Sequence, residues 1–275
     1  MLGRFRISDR SADSKGRVRS TALALCAAFS LAGAVPLQAQ LAVDRLDMVI
    51  NPVSGKRTTG VILVTNQTAV PQQATLLREE WDRSENGDNR FLPAGSTGAS
   101  CGAHLTFSPA VIRLEPGTSE RVRVSMDGVP PLGKECWDAI SIEQVLQQAK
   151  RGENAIHYRF RTAVKVYVTP DGLSREGAIE DMRLQDRSAT ERQIAINFRN
   201  TGGIHLLAKG SLEFRRRDNS VAARTPIPEF PTLPGALRKL AVDVPLDLPR
   251  GDYIVLALID FGGAEIAAGQ LDLAK

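Results

Sequence analysis

Histidine and cysteine are scarce in this chain, three of each in 275 residues. His104, His157 and His205 stand far apart. C-G-A-H (Cys101, His104) has half the spacing of a zinc site, and no second half follows, so no metal is expected. There is no G-x-S-x-G, H-E-x-x-H, P-loop or dinucleotide fingerprint. The adjacent pair Glu79-Glu80 sits in a strand-like run, where neighbours point to opposite faces and make a poor acid/base dyad. An enzyme is therefore not expected, nor a small-molecule substrate.

Long apolar runs are missing too. The longest, residues 21–35, is too short for a spanning helix. It follows a basic start (Arg4, Arg6, Arg10, Lys15, Arg17, Arg19) and precedes P-L-Q-A, which reads as a secretory signal over 1–39 with cleavage after Ala39. Leu23-Ala24-Leu25-Cys26 is a poor lipoprotein signal. The formal charge of +4 belongs to that leader: 35 cations less six and 31 carboxylates less two leave 29 of each sign. Without a basic field, nucleic acid is not an expected partner. The run Arg215-Arg216-Arg217 reads as a solvated edge or turn. Two cysteines remain, and an even count in an exported protein predicts a Cys101–Cys136 disulfide.

What the chain does contain is a succession of short strand-like runs. They fall at 58–65, 73–81, 111–114, 121–126, 139–145 and 156–168. A polar stretch at 82–89, D-R-S-E-N-G-D-N, reads as a hairpin loop. Thr169-Pro170-Asp171-Gly172 punctuates the chain. The pattern then restarts at 193–198, 211–215, 239–244 and 253–259, and Pro-rich 226–234 reads as a loop. No long amphipathic helix appears. Regular short strands between turn signals predict an all-β fold of sandwiches, with domains over 40–169 and 170–275.

Residues 156–170, I-H-Y-R-F-R-T-A-V-K-V-Y-V-T-P, are the most distinctive segment. One face carries Ile156, Tyr158, Phe160, Thr162, Val164, Val166 and Val168. The other carries His157, Arg159, Arg161, Ala163, Lys165 and Tyr167. Thirteen alternating residues predict one strand of roughly 43 Å at ~3.3 Å per residue. Ordinary strands have about five or six residues, so this one outruns the core of a small domain.

Several segments together resemble the periplasmic pilus-assembly chaperones, the PapD-like family. F-S-P-A-V-I-R-L-E-P-G-T-S-E-R-V-R-V (107–124) resembles that family's "sP-x-x-x-R-L-x-P-G…vR" stretch. K-V-Y-V-T-P resembles the end of its donor strand, and Leu258-Ile259-Asp260-Phe261-Gly262-Gly263 its N-D-Y-G-G. The resemblance implies two immunoglobulin-like β-sandwich domains in tandem, angled with a cleft between them. It implies a periplasmic chaperone that caps incomplete pilus or fimbrial subunits by donor-strand complementation and delivers them to an outer-membrane usher, with no cofactor. The donor residues fall at Ile156, Tyr158, Phe160, Thr162 and Val164. The family's cleft lysine, which grips the subunit's C-terminal carboxylate, matches Lys165, five positions before Pro170. Its interdomain charge triad matches Arg123, Glu135 and Asp260. The family's first-strand arginine has no direct counterpart in V-D-R-L-D-M-V-I (43–50): one register puts Asp47 there, and Arg45 lies two residues earlier on the same face.

The competing reading is a stand-alone two-domain sandwich that binds or builds without strand donation. Whether the free protein caps itself as a dimer is left open by the residues.

Overall fold

The structure is a computed structural model that describes residues 41–129, 133–144, 159–188 and 191–275. The segment 1–39, expected to be a leader, and the expected donor residues Ile156 and Tyr158 lie outside the described residues. Ten strands build the first sandwich: β1 (Leu41–Val43), β2 (Asp47–Ile50), β3 (Arg57–Asn66), β4 (Gln72–Arg83), β5 (Asn89–Leu92), β6 (Leu105–Ser108), β7 (Val111–Leu114), β8 (Ser119–Asp127), β9 (Cys136–Gln144) and β10 (Phe160–Val168). One sheet has the order β1-β3-β8-β6. The other runs β2-β10-β9-β4-β5, with β7 also on β4. Alternation explains the layers. Ile62 and Val64 of β3 and Val122, Val124 and Met126 of β8 point inward, as do Ile140 of β9 and Val164, Val166 and Val168 of β10; all are fully buried. The polar stretch near residue 84 is the turn of a β4–β5 hairpin, as expected.

The segment 43–50, read in sequence as one first strand, instead spans a corner between two sheets. β1 pairs with β3 antiparallel, and β2 pairs with β10 in parallel. The corner is fastened by Asp44, whose carboxylate accepts the Leu63 amide at 2.9 Å.

Seven strands build the second sandwich: β11 (Gly177–Asp186), β12 (Arg192–Asn200), β13 (Leu206–Arg215), β14 (Val221–Thr232), β15 (Leu237–Asp243), β16 (Asp252–Asp260) and β17 (Ala267–Ala274). Its sheets are β11-β12-β15 and β14-β13-β16-β17. Its core gathers Ile194, Ile196, Phe198, Leu212, Phe214, Val255 and Ile259. Among the described residues no helix is long and apolar enough to cross a membrane.

The loop expected at 226–234 is corrected: 226–232 belong to β14. Pro226 sits opposite Ser211 and Pro231 opposite Leu207, with a bulge between. β14 is an edge strand, so it needs donors on one side only and tolerates proline. β11 and β17 escaped the sequence reading because both are short of large apolar residues. Their packing needs small ones, since a β-carbon on Gly269 would stand 2.6 Å from Met182 Sδ.

Candidate functional site

The predicted alternation of β10 is realised over nine residues, Phe160–Val168; Arg159 stands outside the strand, and the rest of the expected thirteen-residue run lies outside the described residues. Val164, Val166 and Val168 are buried, Thr162 is half-buried, and Phe160 is 36% exposed. Pairing is asymmetric. β9 runs beside the whole of β10, from Phe160 opposite Gln144 to Val168 opposite Cys136. β2 covers only Lys165 to Val168, opposite Asp47 to Ile50. Residues 161–164 therefore have no second neighbouring strand among the described residues. The Lys165 and Thr169 amides donate toward β2, to Leu46 and Ile50 at 2.9 Å. By the period of two, the amides of Ala163 and Arg161 face the same, open side.

Lys165 marks where the open edge ends. Its in-register position opposite Asp47 brings Nζ to 2.7 Å from Asp47 Oδ1, with the lysine side chain 17% exposed and the aspartate 54%. Its ammonium also stands 5.7 Å from the centroid of the Trp81 ring. Arg45 does not join it: that guanidinium binds its neighbour Asp44 at 2.7 and 2.9 Å. Asp44 is held below the usual carboxylate range by this contact. The corner between β1 and β2 turns Arg45 away from the shared face that an unbroken strand would have provided.

The outward face of β10 is covered where the sandwiches meet. Trp81, Trp137, Ala139 and Tyr167 pack with Leu233 of the second sandwich. Trp81 meets Tyr167 edge-on at 5.8 Å, and Tyr167 stacks on His205 at 3.9 Å. Burial pushes the Tyr167 phenol up. Glu135, fully buried, accepts from His205 N–H at 2.7 Å, contacts His205 Nδ1 at 2.8 and 2.9 Å, and accepts from Thr169 Oγ1 at 2.5 Å. The Glu135 amide donates to Gly203 at 2.9 Å. On the other flank, the β4–β5 turn meets β15 through Lys239, whose amide donates to Glu85 O at 2.7 Å and whose ammonium lies 2.5 Å from Glu85.

The expected triad is not assembled. Glu135 is at the junction, but its partners are Thr169 and His205. Arg123 lies on the exposed face of β8, opposite Val61, because Val122 and Val124 take the core positions. Asp260 is exposed at the end of β16 and accepts the Gly262 amide at 2.9 Å. His205 had no motif around it, and its role is visible only once two sandwiches bring it to Glu135.

Cys101 and Cys136 are disulfide-bonded, with α-carbons 5.1 Å apart. Beside them Asp138, fully buried, accepts from Ser100 Oγ at 2.7 Å and the Cys101 amide at 3.1 Å. Burial outweighs these bonds and pushes its carboxyl up to about 6. In Glu80 the balance reverses: burial alone would raise its carboxyl, but the amides of Gly95 and Thr97, at 2.6 and 2.5 Å, hold it below its ordinary value.

The class these features define is a tandem pair of immunoglobulin-like β-sandwiches joined at a polar and aromatic junction. Residues 93–174, which span β6 to β10, match the family model described as Pili and flagellar-assembly chaperone, PapD N-terminal domain. The chain is thus similar to the PapD-like pilus-assembly chaperones. No curated protein matches it. Solved structures of similar shape include a chaperone–tip adhesin complex of CFA/I fimbriae biogenesis, at 14% identity and TM-score 0.49 over 86% of this chain and 99% of that one. Another is the class 5 fimbriae chaperone CfaA, at 14% and 0.47 over 86% and 98%. A third is the CsuC–CsuE pre-assembly complex of Acinetobacter baumannii Csu pili, at 10% and 0.48 over 84% and 98%.

Proposed function

We propose that this chain is a periplasmic, non-enzymatic chaperone that caps incomplete immunoglobulin-like pilus or fimbrial subunits by lending them β10, and passes them to an outer-membrane usher. Its two domains, 40–169 and 170–275, are then the arms of one binding device. The observation that supports this most directly is the half-covered edge of β10. Residues 161–164 present backbone groups on one side, and the face Val164–Thr162–Phe160 runs out of its own core. An extended segment with a missing neighbour and spare apolar side chains suits strand addition to a partner. Phe160, with Ile156 and Tyr158 ahead of it, supplies the donor side chains in this reading.

The test is Ala163→Pro. The substitution removes an amide that faces the open side and leaves the amides that face β9 intact. The wild-type protein is expected to co-purify from periplasm with a co-expressed pilus subunit, and the variant, folded by circular dichroism, is not. A folded variant that captures subunit at the wild-type level overturns strand donation. The pairing of Lys165 with Asp47 and of Arg45 with Asp44 favours the second reading, a two-domain binding protein without a carboxylate grip at Lys165. A self-capped dimer would use the same open edge, and size-exclusion chromatography of the Ala163→Pro protein separates it from a monomer.

A further inference from the structure

Glu79 and Glu80, the adjacent carboxylates of β4, point to opposite faces of their strand and serve different partners. Glu80 binds the amides of Gly95 and Thr97. Glu79 reaches across β9 to β10. It lies opposite Ala139 of β9, which in turn lies opposite Lys165 of β10. One of its oxygens accepts from Arg161 Nη1 at 2.7 Å, and the other accepts from the Ser141 hydroxyl. Glu143, directly opposite Arg161 on β9, stands 3.9 Å from the same Nη1. The Phe91 ring of β5 backs the guanidinium, with its centroid 5.5 Å from Cζ. Groups from three strands, β4, β5 and β9, thus converge on one side chain of β10.

That side chain stands where β10 lacks a second neighbour. From 161 to 164 the strand has only β9 beside it among the described residues. A strand paired on one side opens more readily than one paired on both. An extended segment that must be ordered before it pairs binds more weakly than one held ready. The far end of the open stretch is pinned by the Lys165–Asp47 pair. Arg161 pins the near end. It does so from the outward face, while Phe160, Thr162 and Val164 occupy the alternate row. The anchor therefore uses neither the donor side chains nor the open amides. Arg161 is 38% exposed and Glu79 only 18%, so solvent screens the pair only in part.

We propose that Glu79 is a positioning residue for strand donation: through Arg161 it holds the open half of β10 extended and in register on β9 before a subunit arrives. This rests on the strand-donation reading. Glu79 touches no subunit in this role. Its two oxygens tie β10, through Arg161, to β9, through Ser141, so the free edge is presented as a finished strand rather than as a loose segment.

The experiment has two arms on the secreted full chain. The first reads amide hydrogen exchange by NMR in the free protein. By the period of two the Thr162 amide faces β9. Glu79→Ala is expected to speed its exchange roughly tenfold and to leave the amides of β3, in the opposite sheet, unchanged. The second arm co-expresses differently tagged wild type and variant with one pilus subunit and reads each protein's share of the captured subunit. Glu79→Ala is expected to take a roughly tenfold smaller share than wild type. Asp82→Ala, which breaks the Arg90 pair in the same hairpin, is expected to take an equal one. Arg161→Ala loses as much as Glu79→Ala, and the double variant loses no more than either, because the two act as one unit. Glu79→Gln, which loses the charge and keeps the shape, shows smaller changes of the same sign and carries the test where the alanine protein does not fold. Unchanged Thr162 exchange overturns the brace. Faster exchange with an undiminished share overturns its role in capture, and so does an equal loss in Asp82→Ala. Additive losses in the double variant overturn action through Arg161. No capture by wild type refutes strand donation itself, and with it the role in capture, whatever the exchange rates show.

Discussion

Glu135 is the residue whose loss most clearly probes the junction. It is fully buried in the first sandwich, and its carboxylate receives the His205 amide, the His205 ring and the Thr169 hydroxyl. Glu135→Ala leaves those donors facing a cavity. Hydrogen bonds to a charged acceptor contribute about 1.5–3 kcal/mol each, and breaking a buried charged network costs about 3–5 kcal/mol. The His205 side chain is 30% exposed and regains water on that side, so the expected loss is about 2–4 kcal/mol. Because His205 belongs to the second sandwich, the loss falls on the coupling between sandwiches as well as on global stability. Trp81 and Trp137 both pack in the junction cluster, so tryptophan fluorescence reports it directly. In urea the variant is expected to show an early fluorescence transition separated from the unfolding seen by far-ultraviolet circular dichroism. Glu135→Gln, which keeps the shape and loses the charge, falls between the two. Coincident transitions at the wild-type midpoint in Glu135→Ala would refute the idea that this carboxylate ties the sandwiches together.

Asp138 gives a pH-dependent prediction. Its folded carboxyl is raised to about 6 from 3.8, so the folded state takes up a proton before the unfolded state does. The ionised carboxyl therefore weakens the fold above pH 6, and the penalty disappears as pH falls toward 4. Asp138→Asn is expected to raise stability at pH 7 by up to roughly 3 kcal/mol and to match wild type near pH 4, read from urea midpoints across that range; equal midpoints at pH 7 would rule this out. Reduction of Cys101–Cys136, which closes a 35-residue separation, is expected to cost about 3–4 kcal/mol, and thiol titration of denatured, unreduced protein should find none. Gly210→Ala is expected to cost about 1–3 kcal/mol, because its β-carbon would meet the Leu258 carbonyl oxygen of β16; an unchanged melting temperature would count against that close approach.

The strands with strong alternation were legible from the sequence. β3, β8 and β9 lie within three residues of the expected spans, and β10 ends at Val168 as expected but starts at Phe160 rather than at 156, because a buried face every second residue writes itself into the order of apolar side chains. The disulfide was legible for a similar reason: once the expected leader with Cys26 is set aside, two cysteines leave one pairing. The Pro-rich stretch misled because proline signals a loop only where both strand edges must donate, and β14 is an edge. Edge position is a property of the sheet, not of the segment.

The site divides the same way. Local alternation marked the run of β10, whereas Lys165 was marked by the family resemblance through its step to Pro170. Whether Lys165 is free depends on Asp47, placed beside it by parallel pairing between strands that are more than a hundred residues apart. The partners of Glu135 depend on contacts between two sandwiches. A charge can be read from one residue, but its partner is chosen by whichever surface the fold brings within about 4 Å. For this protein the sequence by itself determined the strongly alternating strands, because their period is local; only the tertiary structure decided which strands are edges and which partner answers each charge at the junction, because those depend on contacts between segments far apart in the chain.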